Sequence, residues 1–299
     1  MDPNSTPLRS NSTRSDLERR LAASDAERER LERELSEIAA RHREADERMH
    51  RDLDLAREIQ QGLLPEAVPE WQALDLHCYS CPALEIGGDF YTYRESNNAK
   101  VLLSKYVLAV GDVSGKGVSA ALLMATALSR FDASLAKPVG PAERLALLDK
   151  QLMPYTKPRR QNCALCCIEI VGVNTVNPIL RVANAGCIPP YVRRTDGSVE
   201  WIVAEGPPLG LGLGAKAGYA EISKPLQKGD AVVLVSDGAV ECRNEDDELF
   251  GFDRLQETIA SAPDSSPERL VQHLRDAITA FGAACDDPHD DVTLVVARL

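Results

Sequence analysis

The chain has no apolar run of the ~20 residues needed to cross a bilayer. Residues 1–30 are polar and charged, with no hydrophobic segment of the secretory kind. Membrane insertion and export are not expected, and the sequence reads as a cytoplasmic protein. Positive charge is in deficit, with 34 Lys and Arg against 46 Asp and Glu and a formal net charge of −12. That field repels phosphate backbones, and no local basic patch stands out along the sequence, so nucleic acid is not an expected partner. Aromatics are scarce at 5%, yet a hydrophobic fraction of 44% over 299 residues suffices for one large domain with an appendage and excludes wholesale disorder. The eight cysteines, in a chain without an export signal, are expected as reduced thiols and not as a disulfide framework.

Proline is missing from residue 14 to residue 64, and in that stretch glycine occurs only at Gly62. A heptad laid over it gives seam positions Leu17, Leu21, Ser24, Arg28, Leu31, Leu35, Ile38, His42, Ala45, Met49, Asp52, Ala56, Ile59 and Leu63, ten of the fourteen being apolar. Runs such as Glu27-Arg28-Glu29-Arg30 between the seam residues suit solvated faces and interhelical pairing. A stripe this narrow has little to bury against except a second copy, so residues 14–64 are read as a coiled-coil helix that forms a parallel homodimer. A charged single helix and a helix that packs back onto the same chain are the alternatives. Residues 1–13, rich in Ser, Asn and Pro, read as a disordered tail.

Pro65 and Pro69 end the helix. Beyond them short apolar runs alternate with Gly, Asn and Asp. The pattern predicts strands near 73–80, 86–94, 101–111, 163–171, 178–184, 189–194, 199–203, 219–223, 230–236 and 292–298, and helices near 117–134, 141–153, 252–261 and 267–283. Ten strands with helices grouped in pairs imply an α+β sandwich over 65–299, with helices covering sheets.

Four segments carry a feature that core packing does not require. Ile86-Gly87-Gly88-Asp89-Phe90 sets an acid beside two glycines, and Val107-Leu108-Ala109-Val110-Gly111-Asp112 runs an apolar strand into Gly-Asp. Val232-Val233-Leu234-Val235-Ser236-Asp237-Gly238 repeats that design, and Asp290-Asp291-Val292-Thr293-Leu294 inverts it. Each Gly-Asp alone is most often a turn. Carboxylates at buried strand ends are costly unless a cation compensates them. An all-oxygen set suits hard cations such as Mg²⁺ or Mn²⁺ and argues against zinc.

Three other motifs fail. The run from Gly111 to Gly117 resembles a phosphate-binding loop but lacks glycine at Val110 and a hydroxyl at Gly117. Gly87-Gly88-Asp89-Phe90 lacks the second acid of a diguanylate cyclase signature. The pairs Cys78/Cys81 and Cys163/Cys166 are far apart in sequence, and the second lies inside a strand-like run, so both read as buried thiols.

Taken together, these residues resemble the metal-dependent (PPM-type) protein serine/threonine phosphatases, in their bacterial RsbU/SpoIIE-type branch. The resemblance covers about 55–299. It rests on Ala56-Arg57-Glu58-Ile59-Gln60-Gln61-Gly62-Leu63-Leu64-Pro65, Gly87-Gly88-Asp89-Phe90-Tyr91, the stretch from Gly111 to Met124, Ala183-Asn184-Ala185-Gly186, Gly206-Pro207-Pro208-Leu209-Gly210-Leu211, Ser236-Asp237-Gly238, Phe250-Gly251 and Asp290-Asp291-Val292-Thr293, in that order.

The resemblance implies an α-β-β-α sandwich with two divalent cations, Mn²⁺ or Mg²⁺, at one edge of the paired sheets. By it, Asp112 bridges both metals and the Val113 carbonyl is a ligand. Asp237 and Asp290, with Asp291 the less secure of its pair, hold the first metal, and Asp89 serves the second. A hydroxide shared by the cations would then attack a phosphoserine or phosphothreonine in line. The branch implies a small phosphorylated regulator as substrate, an anti-anti-sigma (STAS-domain) protein in a partner-switching pathway, and an upstream activator protein. One departure is Cys187, where the family usually carries histidine after Asn-Ala-Gly. Lys116 is the one candidate, by position, for contacting the substrate phosphate. The rival reading is an inactive phosphatase-like scaffold that binds a partner through the coiled coil.

Overall fold

The computed structural model describes residues 10–97, 104–282 and 290–299. The chain divides into two units, Met1–Leu55 and Ala56–Leu299. Helix α1 spans Ser10–Leu63, so it begins within the stretch expected as a disordered tail; residues 1–9 of that expectation lie outside the described residues. In the first unit Leu17, Leu21, Leu31 and Leu35 are 49–65% exposed. Ion pairs such as Arg28–Glu32 at 3.8 Å decorate the helix and add a few tenths of a kcal/mol each.

The second unit is built from β1 (Asp75–Cys81), β2 (Phe90–Asn97), β3 (Ser104–Val113), α2 (Val118–Leu135), α3 (Pro141–Thr156), β4 (Cys163–Val171), β5 (Ile179–Ala185), β6 (Tyr191–Arg193), β7 (Val199–Trp201), α4 (Gly214–Ala217), β8 (Ile222–Pro225), β9 (Ala231–Val235), α5 (Gly238–Glu241), α6 (Gly251–Ser261), α7 (Pro267–Gly282) and β10 (Val292–Arg298). One five-stranded sheet runs β1-β10-β9-β6-β7 and the other β2-β3-β4-β5-β8, with every pairing antiparallel. This is the expected helix-flanked pair of sheets. All ten strands lie within a few residues of their predicted places, although 101–103 and residue 283 fall outside the described residues. The short helices α4 and α5 were not foreseen, because a single turn leaves no periodicity to read.

Strand alternation sorts the core into three layers. Tyr106, Leu108 and Val110 of β3, with Cys166 and Ile168 of β4, face Val232, Leu234 and Val295 of the opposite sheet. The intervening Val107, Ala109, Leu165 and Cys167 pack under α2 and α3, and Val233, Val235, Leu294 and Val296 pack under α6 and α7. Burial on both faces explains why these strands read as unbroken apolar runs. Helix α2 is the one described helix apolar and long enough to span a bilayer by composition. Its Ala120, Met124, Ala127 and Phe131 are buried against the sheet, which accounts for that composition. Cys78, Cys163, Cys166 and Cys167 are buried free thiols.

Candidate active site

Antiparallel pairing brings the acid-bearing strand ends to one edge. Phe90 pairs with Gly111, so Asp89 at the start of β2 lies beside Asp112 near the end of β3. In the other sheet Val235 pairs with Leu294, and the Ser236 amide donates to the Thr293 carbonyl at 3.0 Å, which sets Asp237 alongside 290–292. Alternation settles direction: Asp112 shares its face with Leu108 and Val110, which fill the space between the sheets.

Two glycines permit the close approach. A Cβ on Gly88 would sit 2.5 Å from the Val113 carbonyl oxygen and 3.2 Å from Asp112 Oδ1, and one on Gly238 would sit 2.1 Å from the Asp291 carbonyl oxygen. No side chain larger than hydrogen fits at either place.

The electrostatics show that the acids share a field. Burial pushes the Asp112 carboxyl up to about 7, with the nearby charges of Asp237, Asp290, Asp291 and Glu241 adding to it. Asp237 is pushed up to about 6 by burial, Asp290 and Glu241. Asp89 rises well above the usual carboxylate range, chiefly from burial and then from Asp112, although hydrogen bonds from Ser236 and Thr293 work the other way. Its Oδ2 is buried without a hydrogen-bond partner. The cation found near them is Lys116, whose Nζ lies 3.6 Å from Asp290 Oδ1. Lys116 therefore meets a carboxylate of the site.

Asp291 behaves differently from its neighbours. Its Oδ1 accepts the Ala83 amide at 2.7 Å, and its Oδ2 accepts the Gly88 and Asp89 amides at 2.7 and 3.3 Å. Both oxygens accept amides of the 83–89 segment, so Asp291 helps to pin the loop that carries Asp89.

Several contributors escaped the sequence reading. Ser236 Oγ accepts the Thr293 amide at 2.9 Å and donates to the Asp291 carbonyl at 3.3 Å, tying the two acid loops together. The Gln60 side-chain amide grips Gly87 twice, donating to its carbonyl at 2.8 Å and accepting its N–H at 3.1 Å. Glu241 adds a further negative charge. Ser236 precedes Asp237 directly, a usable signal; nothing in the sequence marks Gln60 off from Gln61.

Beside the acids a cavity of about 520 Å³ opens, lined by Asp112, Asp237, Asn184, Cys187, Trp201 and Phe252 among others. Asn184 shapes its wall by accepting the Cys187 amide at 3.0 Å and donating to the Cys187 carbonyl at 2.7 Å. Burial, and then Asp89 and Asp237, raise the Cys187 thiol, so a neutral group occupies the place where the family usually carries histidine.

The donor set fits hard divalent cations: acids that repel one another, an orphaned buried carboxylate oxygen, a backbone carbonyl at hand, and no imidazole or thiolate. Among the described residues no three His, Cys, Asp or Glu side chains are drawn up around one point in ligating geometry. The arrangement is a field of mutually repelling acids that a cation would draw together.

Comparison with known proteins agrees with this chemistry. The model of the family described as "Stage II sporulation protein E (SpoIIE)" matches residues 104–299. Phosphoserine phosphatase RsbU of Bacillus subtilis (strain 168) is 30% identical over 251 residues, which is 83% of this chain and 70% of that protein. The solved SiaA-PP2C domain of Pseudomonas aeruginosa superposes with a TM-score of 0.71 at 23% identity, covering 85% of this chain and 98% of that one. RsbX, solved in complex with magnesium, superposes with a TM-score of 0.56 at 13% identity over 78% of this chain and 98% of that one. These structures share the fold. On the family match and the RsbU relationship, this chain belongs to the SpoIIE family and carries a PP2C-like phosphatase domain.

Proposed function

We propose that the protein is a divalent-cation-dependent phosphatase that hydrolyses phosphoserine or phosphothreonine on a small regulatory protein, of the anti-anti-sigma (STAS) kind, within a partner-switching pathway. The observation that carries the reading is the meeting of Asp89, Asp112, Asp237 and Asp290 at one sheet edge, with the carboxyls of Asp89, Asp112 and Asp237 raised and Lys116 as the nearby cation. A scaffold gains nothing from that repulsion, whereas a cation site needs it.

Asp112, between the Asp89 and Asp237 loops, would hold two cations at once, with the Val113 carbonyl beside it. Asp237 and Asp290 would complete one site and Asp89 the other. When bound, two such cations supply an acidified water and offset the charge on phosphoryl oxygens. The chain does the rest. Asp291 and Ser236 lock the acid loops in register, and the adjoining cavity accepts the residues that flank the phosphate. Magnesium in RsbX and the phosphoserine specificity named for RsbU support the choice of cation class and substrate.

The exposed leucines of α1 support homodimerisation through a coiled coil. The end of α1 touches the site through Gln60 and Gly87, which supports control of Asp89 by a rearrangement of that helix in response to an activator. Truncation of residues 1–50 should change activity or its response to the activator; an unchanged enzyme would exclude this control.

Release of p-nitrophenolate from p-nitrophenyl phosphate, with and without Mn²⁺, tests the core reading. Turnover that depends on Mn²⁺ and disappears in Asp112→Asn is expected. No turnover in the wild type, or turnover indifferent to Asp112, would leave the scaffold reading in its place.

A further inference from the structure

One surface departs from the acidic character of the chain. Residues 113–131 and 150–168 contain no Asp or Glu. They supply α2, the end of α3 and the turn that follows it, and α2 packs on α3. Arg130, Lys157, Arg159 and Arg160 are exposed there. Elsewhere in this unit Lys105, Arg144, Arg181, Arg194, Lys224, Arg243, Arg254 and Arg269 pair with carboxylates, Arg193 bonds Ser265 and the Ala262 carbonyl, and Arg275 lies over the Tyr79 ring. Among the described residues the four surface cations have none within ion-pair distance; Arg130 donates to the Tyr155 hydroxyl at 3.2 Å and Arg159 to the Tyr155 carbonyl at 3.0 Å.

Apolar side chains lie among these cations. Leu122 is 67% exposed, Val118 55% and Tyr155 39%. A small depression of about 140 Å³, lined by Leu122, Thr126, Tyr155 and Arg159, has room for one side chain. The turn is held in a costly shape: Arg160 sits at φ 55, a left-handed conformation worth about 1 kcal/mol or more of strain for a non-glycine residue. It is also fixed to the site. The Gln161 side-chain amide donates to the Ser114 carbonyl at 2.9 Å, and the Ser114 amide donates to the Asn162 carbonyl at 3.0 Å. Ser114 lies two residues after Asp112.

Resting on the phosphatase reading, we propose that this surface docks an acidic segment of the phosphoprotein substrate, with an apolar side chain of that segment over Leu122 and Tyr155. Unpaired cations on a chain of net charge −12 create a local attraction for a partner that the rest of the surface repels. Their place one loop from Asp112 lets the same partner present its phosphate to the acids. The interleaved apolar groups favour a protein over a nucleic acid.

The test uses two phosphoserine peptides, one flanked by glutamates and leucine, the other by lysines and leucine, with the full chain in Mn²⁺. Wild type should prefer the glutamate peptide by about tenfold in kcat/KM at low salt, a preference that high salt removes. Arg159→Glu with Arg160→Glu should reverse it, with p-nitrophenyl phosphate turnover unchanged. Equal use of the peptides by the wild type, or an unaltered preference in the double variant, overturns the proposal. Fluorescence anisotropy of labelled peptides reads docking independently of turnover. An inert enzyme that still binds the glutamate peptide through Arg159 and Arg160 would defeat the phosphatase reading and uphold the surface. Tighter binding of oligothymidine than of that peptide, lost in the double variant, would assign the surface to nucleic acid instead.

Discussion

Two sets of buried or half-buried acids sit in the same catalytic unit and are treated in opposite ways. Asp149 is fully buried, and its carboxylate accepts the amides of Gly210, Gly212 and Ala215 at 2.7, 3.0 and 2.7 Å. Glu169, equally buried, lies 2.6 Å from Lys105 and 2.8 Å from Arg181, with Arg144 at 3.7 Å. At the sheet edge the charges acting on Asp89, Asp112 and Asp237 are those of other acids, among them Asp290, Asp291 and Glu241. A fold that compensates a carboxylate so fully in one place is able to do so in another. The uncompensated set marks where something from outside supplies the positive charge.

The sharpest break between the sets is a pair of substitutions. Asp112→Asn should reduce metal-dependent hydrolysis of p-nitrophenyl phosphate to background while leaving the thermal midpoint of the metal-free protein unchanged or higher, because it removes a repelling charge. Asp149→Ala should do the reverse. Three amides, two of them in buried hydrogen bonds, lose their acceptor, at about 3 kcal/mol in total, or a fall of about 10 °C in Tm for a domain of this size. Calorimetry and the hydrolysis assay on both variants check the contrast; a large loss of stability in Asp112→Asn would erase it.

The same contrast explains what was legible beforehand. Asp89, Asp112, Asp237 and Asp290 were readable because each adjoins an apolar strand, and antiparallel order puts such ends together. The strands themselves were readable because burial on both faces leaves continuous apolar runs. Asp291 could not be sorted in sequence, since an acid that caps backbone amides and an acid that awaits a cation look alike there. Glu169, which sits inside a β4 run of apolar residues, gave no hint of the three cations gathered on it from β3, α3 and β5. The basic surface was invisible for a related reason: its two acid-free stretches lie apart in the chain and meet only when α2 packs on α3.

Removal or addition of the cation gives a smaller effect with a defined pH dependence. The folded carboxyls of Asp112, at about 7, and Asp237, at about 6, lie above their ordinary 3.8. The metal-free fold therefore binds more protons than the unfolded chain between those values, and loses stability as pH rises from about 4 to 7. A divalent cation displaces those protons and cancels the repulsion. The rise in Tm on adding Mn²⁺ should then be larger at pH 8 than at pH 5.5. It should approach about 2.7 kcal/mol of stabilisation at a hundredfold excess over Kd. Scanning calorimetry at the two values decides it; an equal or inverted shift would mean that these acids do not face the cation.

The smallest expected effect is at Gln60, where the comparison reaches a residue that is neither buried acid nor ligand. Its two hydrogen bonds to Gly87 act on the loop that Asp291 holds from the other side through Gly88 and Asp89. Gln60→Ala removes one anchor and leaves the other, so about 1 kcal/mol of stability should be lost, and the Asp89 loop should gain freedom. If Asp89 serves only one of two cation positions, as proposed, the expected result is a several-fold weaker dependence of rate on Mn²⁺ concentration at nearly unchanged saturating kcat. Gln61→Ala, one residue further along the same helix and exposed, serves as the control and should leave both quantities alone. Equal behaviour of the two variants would show that Asp291 alone sets the loop, and that the end of α1 adds nothing to the geometry of the site.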